Sequence, residues 1–327
     1  MKLSIVGTGM IVQDALPHLQ DWGWETAAIC ATPRSTQRAR EMAARWGGKV
    51  YTDYAAMLAE TETDAVYVAS TNVLHAAMTR QALEAGHNVI VEKPMTVGAE
   101  EAKSLAALAR EKGLFLYEAI TTRYQPDYAA LRKQLPRVGP IKVVSCNFSQ
   151  YSSRYDAFRA GEILPVFDPA QAGGALMDLN VYNFHWLQGL FGKPESIVYR
   201  GNMDRGVDTS GAALLSYPGF LAVSVGAKDG ASPCGCVIQG TEGYLRQETP
   251  ANQCGAVTLT LRSGETETFH EETGHRLEAE FRAFARQISA GDHEQCYAAL
   301  EDSLAVVEML AMARESAGIV LPETKTI

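Results

Sequence analysis

The sequence predicts an α/β protein of two domains: a parallel sheet wound on both faces by helices, then an α+β domain built on a large, mostly antiparallel sheet. Three observations carry this expectation. The chain has 327 residues, enough for two cores of ordinary size. Up to about residue 120, short apolar runs alternate with helical segments, as parallel strands covered on both faces require. Beyond that point strand-like runs follow one another through Gly- and Pro-containing turns, the mark of antiparallel pairing.

Taken in order, the first domain, residues 1–121, opens on an apolar run at 3–6 that leads into a helix starting at Met10. A second run at 26–30 precedes an Ala- and Arg-rich helix over 35–46, and a third run lies at 65–69. A helix over 74–85, a run at 88–91, a helix over 99–112 and a run at 114–118 complete the rhythm. The second domain, residues 122–327, holds runs at 141–149, 196–199, 212–217, 220–225, 236–239, 256–261 and 266–270. Its helices are read over 127–134, 174–190, 276–288 and 295–316, and there are no internal repeats.

Lys and Arg number 29 against 38 Asp and Glu, a net charge of −9, and no basic run concentrates the cations. Nucleic acid is therefore not an expected partner, because a phosphate backbone requires a dense basic face. With 46% hydrophobic residues the chain also falls outside the disordered and fibrous classes. The six cysteines are scattered, and Cys234-Gly235-Cys236 has neither a second pair nor a nearby histidine. Reduced thiols and no metal site are expected. An apolar strand beginning at residue 3 leaves no space for a secretion signal, which with the thiols points to the cytoplasm. The longest uncharged stretch, 209–227, is broken by Pro218-Gly219 into halves of strand length, so it reads as a β-hairpin and not as a membrane span.

Val6-Gly7-Thr8-Gly9-Met10-Ile11-Val12 closes the first strand and opens the first helix. Gly7 suits a tight turn, and Gly9 lets a pyrophosphate approach the amides at the helix N-terminus, where the dipole favours an anion. Such a turn in a βαβ frame marks a Rossmann dinucleotide-binding domain, with Val12 standing where a smaller residue is usual. An NAD site places an acid after the second strand to accept the ribose hydroxyls, but here that position reads Thr32-Pro33-Arg34-Ser35, with Arg38 one turn on. Guanidinium and hydroxyl groups suit a 2′-phosphate, so NADP is the expected cofactor and NAD the other candidate. The plainer alternative has Ser35 capping the second helix and both arginines solvated.

Further along, Ser70-Thr71-Asn72 and His75 follow the run at 65–69, and Glu92-Lys93-Pro94 follows the run at 88–91. Gly173-Gly174-Ala175-Leu176-Met177-Asp178 precedes Tyr182. In this order, over almost the whole chain, these motifs resemble the Gfo/Idh/MocA oxidoreductases. They are nearest to the branch of glucose–fructose oxidoreductase and dihydrodiol dehydrogenase, whose members carry tyrosine at the position of Tyr182. The resemblance implies an open sheet in a second domain that binds substrate and oligomerises, and a homodimer or higher homo-oligomer. It also implies NAD(P)-dependent hydride transfer between nicotinamide and the carbinol or carbonyl carbon of a sugar, cyclic polyol or diol. Lys93 matches the active-site lysine, Glu92 the residue that braces it, Pro94 a proline that commonly forms a cis peptide bond, and Asp178 the aspartate of the second-domain motif. Ser70, Thr71, Asn72 and His75 join the nucleotide set. Two departures stand out, since Asn180 replaces the usual glycine and His185 a common aspartate.

The residues support the same chemistry on their own. Asp178, Tyr182 and His185 are spaced i, i+4 and i+7, which on one α-helix gives them a common face. Lys93, at the carboxyl end of a parallel strand, belongs to the crevice where a doubly wound sheet holds its ligand. Oxidation of an alcohol needs a base for the hydroxyl proton and a cation for the developing oxyanion, so the catalytic candidates are Lys93, Tyr182 and Asp178. Tyr182 would act as acid/base with its pKa lowered by Lys93, and Asp178 would orient either side chain.

Tyr151, Arg154 and Tyr155, on the polar loop after the run at 141–149, offer groups that hold a polyhydroxylated substrate. Arg123 beside Tyr124 forms a second group, and His185 is a further candidate contact. Packing of the loop, or an ion pair of Arg154 with Asp156 or Glu162, accounts for the loop residues without a substrate. A catalytically silent NADP-binding regulator is the rival function, and the retained pair Lys93 and Tyr182 argues against it. An enzyme that never releases its nucleotide is a third reading.

Overall fold

The computed structural model describes residues 1–320 and Pro322, and the chain divides into two units. Met1–Ala119 forms the body of the first. Its strands are β1 (Lys2–Val6), β2 (Glu25–Cys30), β3 (Lys49–Tyr51), β4 (Ala65–Val68), β5 (Val89–Glu92) and β6 (Leu116–Ala119), all parallel in the order β3-β2-β1-β4-β5-β6. Helices α1 (Met10–Ala15), α2 (Thr36–Trp46), α3 (Tyr54–Glu60), α4 (Asn72–Glu84) and α5 (Ala99–Glu111) connect them. β4, β5 and β6 are buried at every position, which is why their sequences run nearly continuously apolar instead of alternating. Two elements escape the sequence reading. β3 is a three-residue edge strand with Lys49 exposed, too short to show a pattern. α3 is capped by Asp53, whose carboxylate accepts the Ala56 N–H at 3.1 Å.

Strand order reverses between β1 and β4: the chain winds outward from β1 to β2 and β3, then restarts on the other side at β4. Loops leaving the carboxyl ends of β1 and β4 therefore diverge and open the crevice where such sheets bind ligands. Pairing of Val6 with Val68, and of Val68 with Val91, levels these ends, so the turns that follow begin side by side.

The second unit comprises Ile120–Arg276 and the described chain from Ala305 to Val320. Helix α6 (Pro126–Gln134) leads to β7 (Ile141–Ser149), the short α7 (Tyr155–Arg159), and a π turn (Leu176–Asn180) that runs into α8 (Val181–Phe191). Then come β8 (Ser196–Asp204), β9 (Val207–Tyr217), β10 (Phe220–Ala227), β11 (Gly235–Gly240), β12 (Gly243–Gln247), β13 (Val257–Leu261) and β14 (Thr266–Phe269). These strands and β7 form one sheet, β14-β13-β12-β11-β7-β10-β9-β8, antiparallel except where β7 and β10 run parallel. The uncharged stretch makes the β9–β10 hairpin, turning at Pro218-Gly219 as its sequence predicts. β12 is unforeseen because Gly243 and Arg246 interrupt its apolar alternation.

Alternate residues of the sheet, among them Phe148, Leu215, Ile238 and Leu245, form one core with Phe184, Trp186 and Leu187 of α8. Val143, Val198, Leu214, Leu221 and Tyr244 occupy strand positions of the opposite parity and remain exposed. Among the described residues no helix is long and apolar enough to cross a membrane.

Leu277–Leu304 groups with the first unit. There α9 (Glu278–Ala290) gives its Phe281 carbonyl to the Trp24 indole N–H at 2.9 Å. Tyr67 meets the Phe281 ring edge-on at 5.3 Å, and Tyr117 lies 4.5 Å from Phe284. Such ring pairs contribute about 0.5–1.5 kcal/mol each beyond their buried area. A division at residue 121 assigns α9 to the second domain, whereas these aromatic contacts are with the first. The following helix, α10 (His293–Ala317), contributes residues to both units.

Candidate functional site

Gly7 follows β1 with φ +116°, its N–H donating to the Cys30 carbonyl at 2.9 Å. A Cβ there would lie 2.3 Å from the Ala69 carbonyl oxygen, so both the dihedral and the close approach of two strand ends require glycine. Gly9 is extended, and the space a Cβ would fill is open. The first intrahelical bond of α1 runs from the Gln13 N–H to the Gly9 carbonyl (3.1 Å), leaving the Met10, Ile11 and Val12 amides ahead of it at the helix end. This cradle fits the pyrophosphate of a dinucleotide. Thr8 is buried, its carbonyl accepting the Gln13 amide at 3.0 Å, Met10 is exposed, and Val12 is buried in the core.

Past β2, Pro33–Ser35 forms a single 3₁₀ turn. Ser35 holds the N-cap position of α2, but its hydroxyl pairs with that of Thr32 at 2.9 Å and makes no bond to the helix, which removes the capping alternative. Arg34 and Arg38 are exposed and form no ion pair among the described residues. Two guanidinium groups with no carboxylate to neutralise them suit a 2′-phosphate.

At the ends of β4 and β5 the buried His75 ring spans two turns, with Nδ1 2.8 Å from the Pro94 carbonyl and Nε2 3.2 Å from the Ser70 carbonyl. It thereby fastens the Ser70-Thr71-Asn72 turn, where Thr71 is the N-cap residue of α4, to the Lys93-Pro94 turn. Lys93 is half-buried and joined to Pro94 by a cis peptide bond. The Glu92 carboxylate, expected to brace Lys93, accepts the Tyr67 hydroxyl from neighbouring β4.

Burial pushes the His75 imidazole below its ordinary pKa, opposed by the Pro94 and Ser70 carbonyls and the Glu118 carboxylate and reinforced by Lys93. Because the folded value is depressed, the stability this ring contributes is full above about pH 6.5 and is lost as pH falls below it. His75→Gln keeps hydrogen-bonding groups but does not titrate, so its urea midpoint should fall less than the parent's between about pH 7 and about pH 5. Equal acid slopes in the two proteins would remove His75 from the acid response.

In the second unit Asp178 lies in the π turn while Tyr182 and His185 lie in α8, so 174–190 is not one α-helix. The turn is fastened to β10. Asn180 Oδ1 accepts the Ser224 hydroxyl (2.6 Å) and Asn183 Nδ2 (3.3 Å), and Asn183 donates to the Val225 carbonyl (3.1 Å). Asn180, the departure from glycine, thus anchors a turn wider than an α-helix. The i, i+4, i+7 spacing of Asp178, Tyr182 and His185 therefore runs across a π turn and into an α-helix, not along one α-helix. Exposure falls along the segment, from 30% at the Asp178 side chain to 9% at Tyr182 and 2% at His185. The Tyr182 ring lies 5.9 Å from that of Phe148.

The Asp178 carboxylate pairs with Lys228 Nζ at 2.7 Å, and this lysine is only 2% exposed. Asp208 accepts the Tyr199 hydroxyl (2.6 Å) and the Leu176 N–H (2.7 Å) at the start of the π turn. Burial raises the Asp208 pKa, against those two bonds and the nearby Lys228 charge. Sequence reasoning missed both residues, yet a signal existed. They bracket the uncharged stretch 209–227, and a hairpin brings the charges at its two ends together, here with the Lys228 N–H on the Thr209 carbonyl at 2.8 Å.

Of the loop candidates, Tyr151 is exposed and donates to Asp156 at 2.7 Å, and Asp156 also pairs with Arg159 at 3.6 Å. Tyr155 packs against Tyr151, Phe158 and Phe167, so packing accounts for its ring. Arg154 is half-buried at the start of α7. Arg123, also half-buried, sits on the turn Thr121–Tyr124, which is held by the Thr121 and Thr122 hydroxyls on the Asn252 and Ala251 carbonyls (2.7 and 3.0 Å). Among the described residues no group of three His, Cys, Asp or Glu side chains is arranged to hold a metal, and all six cysteines are free.

A doubly wound sheet with this glycine turn at its point of reversal defines a dinucleotide-binding protein. Residues 1–119 match the oxidoreductase family with an NAD-binding Rossmann fold, and residues 134–246 match the GFO/IDH/MocA C-terminal domain. The chain belongs to the Gfo/Idh/MocA family. It is 32% identical to scyllo-inositol 2-dehydrogenase (NADP(+)) IolU of Bacillus subtilis (strain 168), with 98% of both chains covered. It is 29% identical to trans-1,2-dihydrobenzene-1,2-diol dehydrogenase of Macaca fuscata fuscata, with 99% of both covered. Among solved structures, the 3-ketoreductase KijD10 of Actinomadura kijaniata with NADP and TDP-benzene superposes with a TM-score of 0.84 at 28% identity, over 97% of this chain and 98% of that one. KijD10 has also been solved with a lysine replaced by alanine and with a tyrosine replaced by phenylalanine.

Proposed function

We propose that this oxidoreductase prefers NADP and oxidises one ring hydroxyl of a cyclic polyol of the inositol class, or reduces the matching ketone. Lys93, at the levelled carboxyl ends of β1, β4 and β5, is the observation that carries the reading. Full-length similarity to an NADP-dependent scyllo-inositol dehydrogenase supports the substrate class. The bound nicotinamide supplies the hydride acceptor. Lys93 would stabilise the oxyanion that develops as the hydroxyl proton leaves, Tyr182 would carry that proton, and Asp178 would orient either side chain. Tyr151, Arg154, Tyr155, Arg123 and His185 are the candidate substrate contacts.

Nicotinamide absorbance, followed while scyllo-inositol, myo-inositol, aldoses and vicinal diols are offered with NADP⁺, tests the reading. Turnover of a cyclic polyol is expected. Tight NADPH binding without turnover of any of them would favour the regulator instead. NADPH should bind more tightly than NADH, and Arg34→Ala should erode the difference by about 1–3 kcal/mol, the worth of one charge-assisted contact. Tighter NADH binding by the parent would overturn the cofactor preference.

The exposed apolar face of the second unit supports a homodimer. Val198 pairs with Leu214 and Leu221 with Val143, so these side chains form a continuous patch of the kind that marks a contact surface. Sedimentation should give a dimer for the parent and a monomer for Leu214→Arg, and a monomeric parent would dispose of the idea. Six free thiols support a cytoplasmic location.

A further inference from the structure

We infer that Lys228 is a positioning residue of the polyol site, fixing the Asp178 carboxylate to the loop that carries Val166 and Phe167. The inference rests on the reading of Asp178 as a residue of that site.

An ammonium group is unfavourable in a protein interior unless it is paired and hydrogen-bonded, and a methionine would fill the same volume without that penalty. The chain nevertheless places lysine at the exit of β10, 2% exposed. Among the groups that converge on its Nζ are Asp178 Oδ2 at 2.7 Å, the Val166 carbonyl at 2.8 Å, and the Phe167 ring, whose centroid lies 4.6 Å away. Its main chain is equally tied, the N–H to the Thr209 carbonyl (2.8 Å) and the carbonyl to the Ser152 N–H (2.9 Å). Residue 228 thus joins β9, the start of the loop bearing Tyr151 and Arg154, the Val166–Phe167 segment and the π turn. Phe167 in turn stacks on Phe158 at 4.8 Å and lies 5.7 Å from Tyr155, so a shift of Phe167 is passed to a candidate substrate contact.

The π turn explains why such a fastening is needed. Asp208 anchors it at Leu176 and Ser224 anchors it at Asn180, one on each side of Asp178. Lys228 supplies the anchor at Asp178 itself. A buried cation at this point sets the direction of the carboxylate, which a neutral side chain of the same size would not do.

Lys228→Met, Asp178→Asn and the double variant test this, assayed for kcat and KM with the polyol found in the screen, for NADPH binding, and by thermal melting, which needs no substrate. Lys228→Met should lower kcat by about 10- to 100-fold with NADPH affinity within about twofold of the parent. In the Asp178→Asn background the same change should alter kcat by less than about threefold, because the two residues act through one interaction. The double variant should melt above Lys228→Met, since it no longer leaves a carboxylate without its cation, and this holds even where the single variant folds poorly. A double variant no more stable than Lys228→Met, or independent and multiplicative losses in kcat, would overturn the inference. Parental kinetics for Lys228→Met beside an impaired Asp178→Asn overturn it alone. Parental kinetics for Asp178→Asn overturn the reading of Asp178 as well.

Discussion

Lys93→Met is expected to lower kcat by about 10²- to 10³-fold on the polyol, with NADPH affinity within about twofold of the parent. Methionine keeps the unbranched stem and removes the ammonium with its charge and donors, so the loss reports the oxyanion that this group would stabilise. Tyr182→Phe should cost less, because water can partly replace a single hydroxyl. The double variant should be little worse than Lys93→Met alone, since residues that act as a unit are not additive. Steady-state kinetics paired with NADPH fluorescence titration separate chemistry from binding. Near-parental turnover in Lys93→Met would end the proposed mechanism.

Gly7→Ala is expected to destabilise the protein by about 2–4 kcal/mol, and Gly9→Ala by less than about 1 kcal/mol. At Gly7 a new methyl meets the Ala69 carbonyl at 2.3 Å in a backbone conformation with φ +116°, so either the turn or the strand end must move. At Gly9 the same methyl meets no protein atom within 4 Å. It would instead fill the space through which a pyrophosphate approaches the α1 amides, and NADPH affinity should fall while stability holds. Urea unfolding and nucleotide titration of both variants give the comparison, and equal stability losses would show that the two glycines serve one purpose.

What could be read from the sequence followed how local each determinant is. The parallel strands other than the edge strand β3 declare themselves because most of their positions are buried on both faces, and the Gly7 turn, Lys93 and Asp178 come with their own short motifs. The Pro218-Gly219 hairpin is also a local event. Lys228 and Asp208 escaped because each is an ordinary charged residue until the hairpin between them closes and buries both. The π turn escaped because its anchors are distant in sequence, among them the Asn180 contact with Ser224, which joins residues 44 positions apart. α9 was legible as a helix but not as a neighbour of Trp24, Tyr67 and Tyr117, since aromatic packing over such a separation leaves no periodic trace.

That return of α9 has a consequence for synthesis. The six parallel strands leave the ribosome long before the helix that covers their aromatic side chains. At about 5–20 residues per second the delay from Ala119 to Leu277 is about 8–32 s. Throughout it the nascent sheet carries Trp24, Tyr67 and Tyr117 without their cover, an apolar surface suited to a chaperone or to another unfinished chain. Translation order therefore keeps the nucleotide-binding unit, whose first strands are the earliest made, incomplete until α9 has been added, and a fragment ending at residue 121 is expected to aggregate where the whole chain does not.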